Sequence, residues 1–190
     1  MTVKHSLLAL LTQGPQYGYQ LRAEFEERTG ATWPLNIGQV YTTLDRLERD
    51  GLVEDTGDDG KGHRVYSITE AGRTEVADWF EQPAIPSAPP RNELAIKLAL
   101  AVTTPGVDVE RIIQAQRSAT LRQLQDFTRA KRAAPESPEG TDLAGQLVLE
   151  SLIFTAESEI RWLDHCEAAV LRAARSGPVS YTHLTLPTKA

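Results

Sequence analysis

Residues 36–53 read NIGQVYTTLDRLERDGLV, and this stretch decides the fold. On a wheel of about 100° per residue, Ile37, Val40, Tyr41, Leu44 and Leu47 fall within roughly a third of the circumference. That face has to be buried. Asn36 stands just outside the start, where its side chain can cap a helix, and Gly51 closes the far end. Gln39, Thr42, Arg46 and Arg49 centre on the opposite side, with Thr43 at its edge. Tyr41 lies at the border, where its ring can pack while its hydroxyl reaches outward. A solubilising face is more usually glutamate and lysine. Glutamine, threonine and arginine are instead the side chains that read base edges in a major groove. The alternative is an ordinary solvated face. Glu48 falls on the apolar side and needs solvent or a partner there.

The flanking sequence supplies a setting for this helix. Leu7, Leu8, Leu10 and Leu11 form a short apolar helix over residues 3–12, stopped at Gly14-Pro15. A second helix is expected from about Gly18 to Arg28, with Leu21 and Phe25 on one face. After Gly51, Leu52–Asp55 reads as a strand, residues 56–63 as a glycine-rich turn, and Arg64–Ile68 as a second strand with Tyr66 and Ile68 on one side. Thr69 then caps a helix running to about Phe80. Two helices, a reading helix, a hairpin and a returning helix are the order of a winged helix-turn-helix. The hairpin carries Lys61, His63 and Arg64, of which Lys61 and Arg64 suit phosphates better than bases, with solvated turn residues the alternative, above all for Lys61 and His63. Asp58 and Asp59 at the same tip argue against deep minor-groove insertion.

Beyond residue 82 the composition changes. Residues 83–90, PAIPSAPP, contain four prolines and read as a stiff linker over 83–91. Helices are expected over 92–102, from Asp108 to about Ala133, and from Leu143 to about Ala174. In the last, Leu149, Ile153, Ala156, Ile160, Leu163, Val170 and Ala174 recur at steps of four and three, with Glu167 interrupting. That spacing is a coiled-coil seam, serving either a core stripe within one chain or a subunit interface. Leu149, Ile153, Ile160, Leu163 and Val170 are its dimerisation candidates. Residues 177–190 lack periodicity and read as a disordered or non-native tail. The expected architecture is mainly α: a winged helix-turn-helix over 1–82, then a helical dimerisation and effector domain over 92–176.

Charge sets a constraint. The chain carries a net charge of −6, and residues 1–80 hold 8 basic and 13 acidic side chains. A DNA reader of this composition has to concentrate its positive charge on one face, and its nonspecific binding should be weak and salt-sensitive. The acidity also favours a competing reading, a winged-helix module that binds other proteins. An enzyme finds little support. His5, His63, His165 and His183 form no metal-type pair, no glycine-rich phosphate loop opens a helix, and no serine occupies a nucleophile elbow. No cofactor or metal is expected. Cys166, the single cysteine, allows no internal disulfide and reads as a buried, inert thiol. The apolar run Leu7–Leu11 is too short for a signal core or a span, so the expected location is the cytoplasm.

Three motifs in order now carry a resemblance: HSLLALLTQGPQYGYQL from His5, NIGQVYTTLDRLERDGLVE from Asn36, and RVYSITEAG from Arg64. They resemble the PadR family of bacterial transcriptional regulators, as does RNELAIKLALAV from Arg91 more loosely. The resemblance implies a homodimer joined through carboxy-terminal helices. It also implies a repressor released by a ligand, often phenolic or otherwise aromatic. The helix and hairpin readings together make Asn36, Gln39, Tyr41, Thr42, Thr43, Arg46, Arg49, Lys61, His63 and Arg64 the candidate contacts to double-stranded DNA. Trp79 and Trp162 are candidate platforms for an aromatic effector, as is Trp33, with core packing the alternative for each. Thr42 stands where many members have proline, and Asn36 where serine is common, so no operator sequence carries over.

Overall fold

A computed structural model describes residues 2–58, 60–86, 88–133 and 141–175. Its elements in order are α1 (Thr2–Leu11), β1 (Gln16–Tyr17), α2 (Gly18–Arg28), α3 (Ile37–Arg49), β2 (Val53–Asp58), β3 (Arg64–Ile68), α4 (Glu70–Glu81), α5 (Glu93–Ala101), α6 (Val109–Ala133) and α7 (Thr141–Arg175). The fold is mainly helical, with a winged helix-turn-helix at the amino end and helices after it. The expected tail over 177–190 and Asp59 of the hairpin tip lie outside the described residues. The chain divides into two compact units, Met1–Pro89 with Ala130–Ser151, and Pro90–Arg129 with Leu152–Ala190.

The core of the first unit grows from the leucines of α1. Leu7, Leu8, Leu11, Leu21, Val40, Leu44, Leu47 and Tyr66 are all sealed from solvent or nearly so, and Leu35, Val53, Ile68 and Val76 close around them. Each such aliphatic side chain contributes about 1.5–3 kcal/mol relative to exposure. Three helices, one sheet face and α4 thus share one apolar interior.

The sheet has three antiparallel strands in the order β1-β3-β2. Its first strand is a finding that the sequence did not announce: Gln16 and Tyr17 pair with Tyr66 and Val65. Two residues are too short for any periodicity. The second strand also runs further than expected, to Asp58, past a bulge between Asp55 and Gly57. Gly57 takes φ +103 there, and its amide donates to the Asp55 carboxylate at 2.8 Å.

In the second unit, Leu98 of α5, Ile113 of α6 and Leu163 of α7 form the buried centre. Polar contacts align α6 and α7. Arg117 donates to Asp164 at 2.5 Å and Glu167 at 2.7 Å, Gln114 donates to Glu167 at 2.5 Å, and Gln116 and Thr120 donate to Glu159 at 2.9 and 2.5 Å. Glu167 interrupts the apolar series because α6 holds it; Arg117 is the main reason its carboxyl lies below the usual range. Leu163 is fully buried within its own chain, so it is core rather than a surface offered to a partner. Leu149, Ile153, Ile160 and Val170 are half-buried.

Candidate nucleic-acid interface

The α3 helix is fixed at both ends and along one side. The Asn36 side chain accepts from the Gly38 amide at 2.8 Å. At the far end Gly51 adopts φ +73, and the Gly51 and Leu52 amides donate to the Glu48 and Leu47 carbonyls, each at 2.9 Å. Val40, Leu44 and Leu47 are completely buried beneath it.

An open hollow of about 550 Å³ is lined by Gln39, Thr42, Thr43, Asp45, Arg46 and Arg49. Gln39, Thr42, Arg46 and Arg49 are exposed. Among the described residues, neither arginine engages a carboxylate. The Thr42 hydroxyl donates back to the Gly38 carbonyl at 2.8 Å, which holds the side chain in one orientation.

Thr43 departs from its expected place. It is only 7% exposed, and its hydroxyl donates to the Gln39 carbonyl at 2.7 Å, so it belongs to the floor of the hollow rather than to the open face. Sequence reading also passed over Asp45, which is exposed and shares the lining. The usable signal was its spacing, three beyond Thr42 and four before Arg49, which puts it on the same row.

Tyr41 is half-buried with its ring against Gly18. A Cβ built on Gly18 would fall 2.7–2.8 Å from the ring carbons, so glycine is what lets α2 and α3 approach here. Tyr19 meets the ring edge-on at 6.3 Å between centroids. Burial pushes the Tyr41 phenol up, with Tyr19 and Tyr17 adding to the shift.

On the hairpin, Lys61 is exposed, and His63 is half-buried and stacked on Tyr17 at 4.8 Å between centroids. Arg64 is heavily engaged. It donates through Nε to Asp55 at 2.8 Å and through Nη2 to Glu48 at 3.2 and 3.3 Å, with Asp45 at 3.7 Å from Nη1. Glu48 thereby finds the partner its position on α3 requires.

The tryptophans divide between the two units. Trp79, on α4, stacks on His5 of α1 at 5.3 Å and touches Phe80. Trp162, on α7, lines an apolar cleft of about 270 Å³ with Leu98, Val102, Ile113, Cys166 and Val170. Burial raises the Cys166 thiol, in keeping with an unreactive lining residue. Trp33 is about half exposed. Among the described residues, no group of three or more histidine, cysteine, aspartate or glutamate side chains could hold a metal ion, and no helix is long and apolar enough to cross a membrane.

Residues 7–78 match the family described as the transcriptional regulator PadR-like family, and residues 90–170 match the virulence activator alpha C-terminal family. A probable transcriptional regulator of Mycobacterium tuberculosis is 28% identical over 185 residues, covering 90% of this chain and 98% of that one. The negative transcriptional regulator PadR of Bacillus subtilis is 26% identical over 178 residues, covering 88% and 97%. In fold, the chain is similar to that PadR solved with operator DNA (TM-score 0.65, 23% identity, 88% and 97% covered) and with p-coumaric acid (TM-score 0.69, 23% identity, 90% and 99% covered). It is also similar to the Vibrio cholerae virulence activator AphA (TM-score 0.67, 24% identity, 90% and 99% covered).

Proposed function

We propose, for a chain that carries a PadR-like transcriptional regulator domain over residues 7–78, a DNA-binding regulator that works as a homodimer on a palindromic operator and responds to a small ligand. One observation carries the reading. Helix α3 buries Val40, Leu44 and Leu47 completely and turns Gln39, Thr42, Arg46 and Arg49 outward around a hollow. Arg46 and Arg49 suit guanine edges or phosphates, Gln39 suits adenine, the Thr42 methyl suits thymine, and Asp45 suits the cytosine amine. Tyr41 and Lys61 suit the phosphates alongside, with Asn36 and His63 setting the ends of the surface. The Bacillus relative is a negative regulator, and we extend repression to this chain.

We assign DNA binding to residues 1–82, linkage to 83–91, and dimerisation and effector binding to 92–176. The cleft beside Trp162 suits an aromatic effector, the class to which the p-coumaric acid bound by Bacillus PadR belongs. Trp79, already stacked on His5, is the weaker platform. The protein acts without catalysis, in the cytoplasm.

Selection of bound sequences from a random DNA pool tests the reading. The expected product is an inverted repeat with half-sites about one DNA turn apart. Arg46→Ala should then weaken binding to the selected duplex by about 1–3 kcal/mol per half-site and relax preference at one position in each. A pool that enriches nothing removes the proposal.

A further inference from the structure

We propose that Arg64 is a positioning residue for DNA binding: its guanidinium ties the β2–β3 hairpin to α3 and touches no phosphate. The inference rests on the DNA-binding reading above and overturns the role that residue type alone suggests for a wing arginine.

The geometry is specific. Arg64 opens β3, opposite Asp58 in the ladder. From there it reaches Asp55 on the neighbouring strand at 2.8 Å and both oxygens of Glu48, in the last turns of α3, at 3.2 and 3.3 Å. Asp45, one turn earlier on α3, stands 3.7 Å away. The Arg64 Cζ lies 5.2 Å from the centroid of the fully buried Tyr66 ring. The planar guanidinium fork thus meets carboxylates from two elements at once and lies against an aromatic ring, which a lysine ammonium cannot reproduce.

Charge argues the same way. One guanidinium faces three carboxylates, leaving the group at −2. A phosphate recruiting Arg64 would have to break its hydrogen bonds to Asp55 and Glu48. It would also leave those carboxylates, with Asp45, unneutralised beside the DNA. Arg46 and Arg49, on the exposed row of the same helix, have no such competitors among the described residues. Asp55 is held below its ordinary range first by the Gly57 amide and then by Arg64, so the pair stays charged through neutral pH. A single exposed ion pair contributes little, but a fork shared between elements fixes their relative angle.

The test uses the full-length protein and a duplex recovered from the random pool, with binding followed by anisotropy at several salt concentrations. Arg64→Ala and Arg64→Lys should weaken binding by a similar factor, about five- to tenfold, with the slope of log K against log salt unchanged. A lost phosphate contact would instead flatten that slope by about 0.9 per copy, about 1.8 for the dimer, and lysine would restore most of the affinity. Glu48→Gln separates the cases by sign. Removing a negative charge near DNA should tighten binding if only long-range charge matters. The brace requires it to weaken binding, with the Arg64→Ala, Glu48→Gln double variant no weaker than Arg64→Ala alone. A DNA-free arm follows amide exchange across Val65–Ser67, which should quicken in Arg64→Ala while the global unfolding midpoint stays near wild type. A flattened slope rescued by lysine, or unchanged exchange and affinity, overturns the proposal. If the pool enriches nothing, the DNA-binding reading falls, and the exchange arm still judges the brace.

Discussion

Gly72 stands in the first turn of α4, and a Cβ built on it would lie 2.1 Å from the Leu52 carbonyl oxygen. That carbonyl cannot give way, because it accepts from the Thr69 amide at 3.1 Å and sits where α3 passes into β2. Gly72→Ala should therefore cost about 3 kcal/mol, near the upper end for overpacking, and lower the thermal midpoint by roughly 10 °C or more. A midpoint within a degree or two of wild type in a melting experiment would mean that the α4 junction can slide. Contacts of this kind are where single residues escaped the sequence. Arg64 looks like any cation on a wing until Glu48, 16 positions earlier, comes within 3.2 Å. Thr43 lies at a wheel boundary, and only the packing around α3 decides that it is buried. Gln39, Thr42, Arg46 and Arg49 were legible because a strongly one-sided helix fixes both of its faces at once.

At the scale of elements, caps explain why the helices start where they do. Asn36 and Thr69 each accept from an amide in the first turn, at 2.8 and 3.1 Å. Thr69 has a second task, since its hydroxyl donates to the Gly51 carbonyl at 2.8 Å and so ties α4 to the end of α3. Asn36→Ala should cost about 1 kcal/mol, the usual value of a lost cap. Thr69→Ala should cost about 2 kcal/mol, since a cap and a hydrogen bond between elements go together. Denaturant midpoints for the two variants, with Asn36→Ser as a cap-retaining control, should fall in that order. Equal losses would leave the Gly51 bond without energetic weight. Such local chemistry made α2 legible from Gly18 to Arg28 and placed α3 and α4 to within a residue or so. By contrast, β1 is a strand only because β3 supplies its partner, and nothing local in Gln16-Tyr17 could reveal it.

For the whole molecule, the open question in the sequence was whether the stripe on the last helix serves one chain or two, and α7 answers with two classes of apolar residue. Leu163 is fully buried and Ala156 nearly so, gathered into their own chain. Leu143, Leu147 and Phe154 are 57%, 57% and 65% exposed, and at about 100° per residue they fall within 40° of one another. The seven-residue repeat in the sequence runs through Ala156 and Leu163 and passes by Leu143, Leu147 and Phe154, which stand at other heptad positions, and a heptad alone cannot tell an internal neighbour from a second copy. The proposed homodimer makes them behave differently. Leu163→Ala opens a cavity in the second unit and should cost about 2–5 kcal/mol of its stability, read from denaturant unfolding. Phe154→Glu removes no internal contact of comparable size, so a lone chain should keep its helical circular dichroism. If Phe154 is covered by a second copy, the carboxylate would be buried without a partner, and sedimentation should show monomers at concentrations where the wild type is dimeric. Operator affinity should fall with it, because each half-site would then have to be held by one α3 alone. A Phe154→Glu protein that sediments as a dimer and binds the selected duplex as tightly as wild type would move the subunit contact off this face of α7.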